Sequence, residues 1–207
     1  GALLRFGVPV AGRVVADVGA GTGGFTDCLL KFGARRVYAI DVGRGQLHHR
    51  LREDPRVVSL EGVNVRYARP DLLPERCELA TVDLSFISIL VAISGILNLL
   101  GERAEVLALV KPQFEAGPED VGRGGVVRDF GVHRRVLIKV AKGLEVRGLR
   151  VLGLCPSPIL GAKGNVEYFL YATLDEGRVP NPLPTEVLAS LAVEEAAEKF
   201  GKEGMKQ

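Results

Sequence analysis

Asp17, Asp41, Asn64, Asp83 and Lys111 each stand at or just after the end of a short apolar run. Carboxylates accept hydrogen bonds from sugar hydroxyls and face cationic groups, and a lysine can orient a hydroxyl or take its proton. Polar residues commonly end strands, so no single one of them decides anything. Five of them converging on one sheet edge describe a site.

Between Asp17 and Asp41 lies Gly19-Ala20-Gly21-Thr22-Gly23-Gly24. Glycines at this spacing let the backbone take unusual angles and let a ligand approach the main chain. The helix that follows offers free N–H groups and the positive end of its dipole. Two patterns fit. Gly19, Gly21 and Gly24 make G-x-G-x-x-G, a dinucleotide pattern. Asp17 with Gly19, Gly21 and Gly23 makes D-x-G-x-G-x-G, which resembles motif I of methyltransferases that use S-adenosylmethionine. Asp41, at the end of the next strand, suits ribose hydroxyls in either class. The turn by itself leaves both readings open.

The elements that must position these groups read as alternating strands and helices. Val14–Val18, Arg36–Asp41, Arg56–Leu60, Leu79–Asp83 and Glu105–Val110 are apolar runs rich in β-branched residues, each followed by a helical or loop segment. Alternation of this kind predicts an α/β fold with a doubly wound, mostly parallel sheet of seven strands. Arg150–Cys155 and Asn165–Thr173 complete the sheet, and their short connection makes the last strand antiparallel. Helices are expected over Val132–Val146 and Glu186–Phe200, with a frayed tail after Gly201. Leu3, Leu4 and Phe6 read as a helix end capped by Gly7. The uncharged run from Leu84 to Gly101 is long enough to suggest a membrane span. Its serines and its position between two strands favour a helix packed on the sheet, with Phe86, Leu90, Ile93 and Leu97 as the apolar face.

Composition narrows the class. The chain has 207 residues, 47% of them hydrophobic, which is enough for one sizeable core. A net charge of +2 does not argue for nucleic acid by itself. Cys28, Cys77 and Cys155 lie far apart, read as reduced thiols of a cytoplasmic protein, and show no metal spacing. No His, Cys or carboxylate cluster suggests a metal.

Five further segments carry a resemblance. Phe25-Thr26-Asp27-Cys28-Leu29-Leu30, Asp83-Leu84-Ser85-Phe86-Ile87-Ser88, Val110-Lys111-Pro112-Gln113-Phe114-Glu115, Gly124-Gly125-Val126-Val127-Arg128-Asp129 and Gly164-Asn165-Val166-Glu167-Tyr168-Phe169 resemble, in order, motifs of the TlyA family. These are rRNA methyltransferases, often labelled haemolysins, with an FtsJ-like catalytic domain. The resemblance covers Gly1 to about Leu174 and leaves 175–207 as a C-terminal linker and helix on the same domain. It implies a Rossmann-like fold, S-adenosylmethionine as methyl donor, and a ribose 2′-hydroxyl of ribosomal RNA, usually on cytidine, as acceptor. It places three groups of a Lys-Asp-Lys-Glu tetrad at Asp83, Lys111 and Glu167. It places the donor among Asp17, Gly19, Ala20, Gly21, Thr22, Gly23, Asp41, Asn64 and Asp83. It also implies a first lysine and a small N-terminal RNA-binding domain, neither of which is found in these residues. There are departures. Gly21 replaces the usual Ser, Arg44 an aromatic, and Gly62-Val63 a polar pair.

The chemistry fits these roles. A ribose hydroxyl is a poor nucleophile, so in-line methyl transfer needs it positioned and then deprotonated or steered. Asp83 can orient Lys111, and Glu167 can hold the lysine from the neighbouring strand. Arg123, Arg128, Arg134 and Arg135, around the long glycine-rich loop, are candidates for RNA phosphates. So are Arg44, Arg50 and Arg52, which lie with His48 and His49 after the second strand. His133 reads equally as a surface residue or a ligand contact. The expected partners are ribosomal RNA or ribosomal subunits, with no membrane and no protein partner. The competing readings are an NAD-dependent oxidoreductase on the same glycine turn, a membrane-active haemolysin resting on the uncharged 84–101 run, and a donor-binding scaffold without turnover.

Overall fold

The computed structural model describes residues 1–175, 177–178 and 183–201. Seven strands form a sheet in the order β3-β2-β1-β4-β5-β7-β6. They are β1 (Val14–Val18), β2 (Arg36–Asp41), β3 (Val57–Glu61), β4 (Cys77–Val82), β5 (Leu100–Val110), β6 (Arg150–Pro156) and β7 (Tyr168–Thr173). The pairings among β1 to β5 are parallel. β7 enters between β5 and β6, antiparallel to both. Glu167 therefore stands one residue before β7 rather than inside it.

Alternate strand residues feed two cores, which is why helices cover both faces. Val14, Ala16, Val18, Tyr38 and Ile40 face one core. It is closed by α4 (Ile89–Leu97), α6 (Phe130–Glu145) and α7 (Thr185–Phe200). Val15, Val37 and Ala39 face the other, closed by α1 (Ala2–Phe6) and α2 (Gly24–Lys31). Phe6 of α1 stacks on Tyr171 with ring centroids 5.5 Å apart. Each fully buried Leu or Ile contributes roughly 2 kcal/mol, so these faces outweigh exposed pairs such as Arg5–Glu195. Helix α7 packs along β6 and α6 through Ala189, Ala192, Val193 and Ala196.

The run from Leu84 to Gly101 is not one helix. Leu84–Ile87 is loop, Ser88 caps α4, and Leu100 already begins β5. The buried face of α4 is Ile89, Ala92, Ile93 and Ile96. Phe86 lies on no helix: it is 89% exposed, with φ at 66°. Serine at position 88 explains the shift, because its Oγ accepts from Leu90 N at 3.1 Å and starts the helix there. Among the described residues, no helix is long and apolar enough to cross a membrane. Two short helices lie at the C-terminal sheet edge, α3 (His49–Arg52) and α5 (Pro112–Glu115).

Candidate active site

A cleft of about 670 Å³ opens beyond the carboxyl ends of β1, β2, β4 and β5. Parallel strands end there with unpaired backbone groups, and the helix N-termini point the same way. Gly19, Ala20, Gly21, Thr22, Asp41, Asn64, Asp83 and Lys111 line it, together with Phe25, Ser85 and Phe86.

The glycine turn is held from two sides. Gly19 and Ala20 donate to the Ile40 carbonyl at 2.8 and 3.2 Å. Asp41 accepts from Gly21 N at 2.8 Å and from Gly43 N at 2.7 Å, so it shapes the turn while its other lone pairs stay free. Gly19 has φ of 81°, and a Cβ on it would lie 2.2 Å from the Asp83 carbonyl oxygen. This close approach puts Asp83 beside the turn. Gly23 does not line the cleft. A Cβ there would strike Leu51 and Leu47, so it serves the packing of the α3 segment.

Asp17 lies beneath the turn and does not reach the cleft. It is fully buried, and accepts from Thr26 Oγ1 at 2.6 Å and Thr81 Oγ1 at 2.8 Å. Burial pushes its carboxyl up to about 6, against the lowering effect of the two hydroxyls. The folded chain thus binds a proton more tightly than the unfolded one, and stability rises as pH falls from about 6 toward 4. The ionised group costs about 3 kcal/mol at neutral pH. The melting temperature of the natural chain is expected to rise relative to Asp17→Asn between pH 7 and 5. Parallel melting profiles across that range would refute this.

Beside the turn, Lys111 Nζ lies 2.6 Å from Asp83 Oδ1 and donates to Ser85 Oγ at 3.0 Å. The lysine side chain is only 12% exposed. Glu167 is buried and makes no direct ion pair with Lys111 among the described residues. Gln113 Nε2 donates to its Oε1 at 2.9 Å, and Gln113 sits two residues beyond Lys111. Burial raises the Glu167 carboxyl, while Gln113 and then Lys111 oppose the rise. Ser85 and Gln113 are partners that residue-type reasoning missed, although both lie inside the motif segments. Glu115 accepts from Ser88 Oγ at 2.6 Å and Ile89 N at 2.7 Å, which pins the 84–88 loop to the start of α4. Phe86 projects at the mouth, 5.0 Å from the Phe114 ring.

The arginines are less uniform than expected. Arg123 and Arg128 are exposed on the glycine-rich loop. Arg134 donates to Ser190 of α7 at 2.9 Å, and Arg135 pairs with Asp120 at 3.0 Å. The Arg44 guanidinium lies over Gly62, in the space a larger residue at 62 would fill. His133 is neither surface nor ligand contact. It is 1% exposed, with both ring nitrogens engaged internally.

The sheet order, the antiparallel seventh strand and the glycine-turn cleft define a methyltransferase-type α/β fold. The chain belongs to the FtsJ-like methyltransferase family, which matches residues 1–174. Bacillus subtilis YqxC, provisionally named an rRNA methyltransferase, is 44% identical over 98% of this chain and 72% of its own. The Mycobacterium tuberculosis 16S/23S rRNA (cytidine-2′-O)-methyltransferase TlyA is 42% identical over 99% and 73%. A solved structure from Streptococcus thermophilus, provisionally named a hemolysin, is 39% identical with TM-score 0.87, over 97% of this chain and 73% of that one. S-adenosylmethionine-dependent methyltransferases share the fold at much lower identity. Membership of this family makes the chain's chemistry methyl transfer rather than hydride transfer.

Proposed function

We propose that this chain methylates a ribose 2′-hydroxyl of ribosomal RNA, on cytidine, with S-adenosylmethionine as donor. The observation that carries the reading is the Asp83–Lys111 pair at 2.6 Å, lining the same cleft as the glycine turn.

The residues present suit such a donor. Gly21 has nothing within 4 Å of where a Cβ would stand, so the turn is open on that side. The open Gly19–Thr22 turn would let it approach the main chain, and Asp41, Asn64 and Asp83 would hold it, offering acceptors to hydroxyls and negative charge to a sulfonium. The donor supplies an electrophilic methyl group. Asp83 aims Lys111 Nζ, and Ser85 fixes the same nitrogen from a second side. Lys111 would orient the acceptor hydroxyl, passing an ammonium proton to the Asp83 carboxylate as it takes the hydroxyl's own. Glu167 braces the segment that carries Lys111 by accepting from Gln113, two residues further on. Phe86 offers an exposed ring to a base, since RNA outside helices is read by stacking on aromatic faces.

The haemolysin reading loses its physical support, because the uncharged run is a loop, a nine-residue helix and a strand start packed on the sheet. The test is incubation with ribosomal subunits and methyl-labelled S-adenosylmethionine, with calorimetric titration by the donor and NADH in parallel. Label on a ribose 2′-oxygen and heat with the donor alone are expected. Label on a base, or heat with NADH alone, would reject the reading.

A further inference from the structure

The glycine-rich segment from Gly117 to Asp129 pairs with no strand. Two buried side chains that take no part in the chemistry above set its shape. Asn165, 2% exposed, accepts from Val127 N at 3.1 Å through Oδ1. Through Nδ2 it donates to the carbonyls of Gly125 at 2.9 Å and Ala162 at 3.0 Å. His133 meets the Val127 carbonyl through Nε2 at 2.9 Å and the Tyr168 hydroxyl through Nδ1 at 2.8 Å. A carbonyl only accepts, so Nε2 carries the proton and Nδ1 accepts from Tyr168. Burial lowers the histidine's affinity for a second proton, in keeping with this neutral ring.

Both main-chain groups of Val127 are thus held by side chains, as a strand neighbour would hold them. Asn165 also ties this loop to the one that runs from β6 to β7. The stitched lip carries Arg123 and Arg128, both exposed and without a carboxylate partner among the described residues. It also carries Lys163, whose Nζ lies 3.8 Å from the place a Cβ on Gly125 would take. Asn165 precedes Glu167 by two residues, and Tyr168 follows it directly. The lip is therefore tied, through Asn165 and Tyr168, to the residues on either side of Glu167.

We propose that His133 and Asn165 are positioning residues that preorganise this three-cation lip for the phosphates of the RNA strand bearing the acceptor. The proposal rests on the ribose-methylation reading above and names how that substrate is gripped. A loop fixed in advance pays no ordering cost on binding, and cation–phosphate contacts set register without reading sequence.

The test uses the full chain with protein-free ribosomal RNA, at several salt concentrations. His133→Phe is expected to weaken RNA binding about tenfold and to flatten the salt dependence by about one phosphate contact, because Arg128 is no longer held in place. His133→Gln, whose amide can still donate to the Val127 carbonyl, should restore most of the affinity. Arg128→Ala should match His133→Phe, and the double variant should bind no more weakly than either single. S-adenosylmethionine affinity should be unchanged in all four. Additive losses in the double variant, natural RNA affinity in His133→Phe, or a parallel loss of donor binding would each overturn the proposal. If the natural chain binds RNA yet methylates no ribose, the proposed function fails, while the lip is still judged on binding alone.

Discussion

Lys111→Ala is expected to lower methyl transfer about a thousandfold while leaving donor and RNA affinity within about twofold, the pattern of a group that acts in the transition state. Lys111 Nζ is held by Asp83 at 2.6 Å and Ser85 at 3.0 Å in the wall of the cleft, so its position is defined before any acceptor arrives. The side chain is mostly shielded, and its removal leaves Asp83 without its cation. Lys111→Arg should not rescue turnover, because a guanidinium is bulkier and does not give up its proton. Single-turnover rates with labelled donor, alongside separate binding titrations, check this. Turnover within tenfold of the natural chain would remove Lys111 from the mechanism.

Gly19→Ala is the second large effect, and it separates stability from chemistry. The added methyl would sit 2.2 Å from the Asp83 carbonyl oxygen, on a backbone with φ of 81°. Neither atom is a flexible side-chain end, so strand ends must move apart. The expected cost is about 3 kcal/mol or more, which for a domain of this size lowers the melting temperature by about 6–12 °C. Donor binding should be lost with it, because Asp83 and the turn separate together. Gly21→Ala is the contrast. With φ of 52° and open space around its Cβ position, it should melt within a few degrees of the natural chain and lose mainly donor affinity. Equal melting temperatures for the two variants would show that the contact between the turn and Asp83 is not what holds this edge together.

Much of the frame was legible along the chain. The β-branched runs fixed where strands form, and β2 falls on Arg36–Asp41 as its pattern predicts. The polar residues that close those runs do line the shared edge: Asp41, Asn64, Asp83 and Lys111 all border the cleft. Boundaries slipped where a local cap competes with apolar pattern. Ser88 starts α4 and releases Phe86 to the surface, although hydropathy alone favours an unbroken helix. Such a slip is expected, because an uncharged run records burial and not the hydrogen bonds that begin a helix.

Residue type and spacing determined the alternating α/β order, the glycine turn and the identity of the groups with chemistry to offer, because periodicity and backbone permissiveness are local properties. Tertiary structure decided which of those groups face a ligand. It set Asp17 under the turn, where Thr81 of a strand 64 residues away completes its shell. It brought Gln113 onto Glu167, 54 residues away, and drew His133 inward to hold the loop that precedes it in sequence. These outcomes depend on which atoms meet across the sheet and on what burial costs a polar group left without a partner, and neither quantity is written in any one stretch of chain.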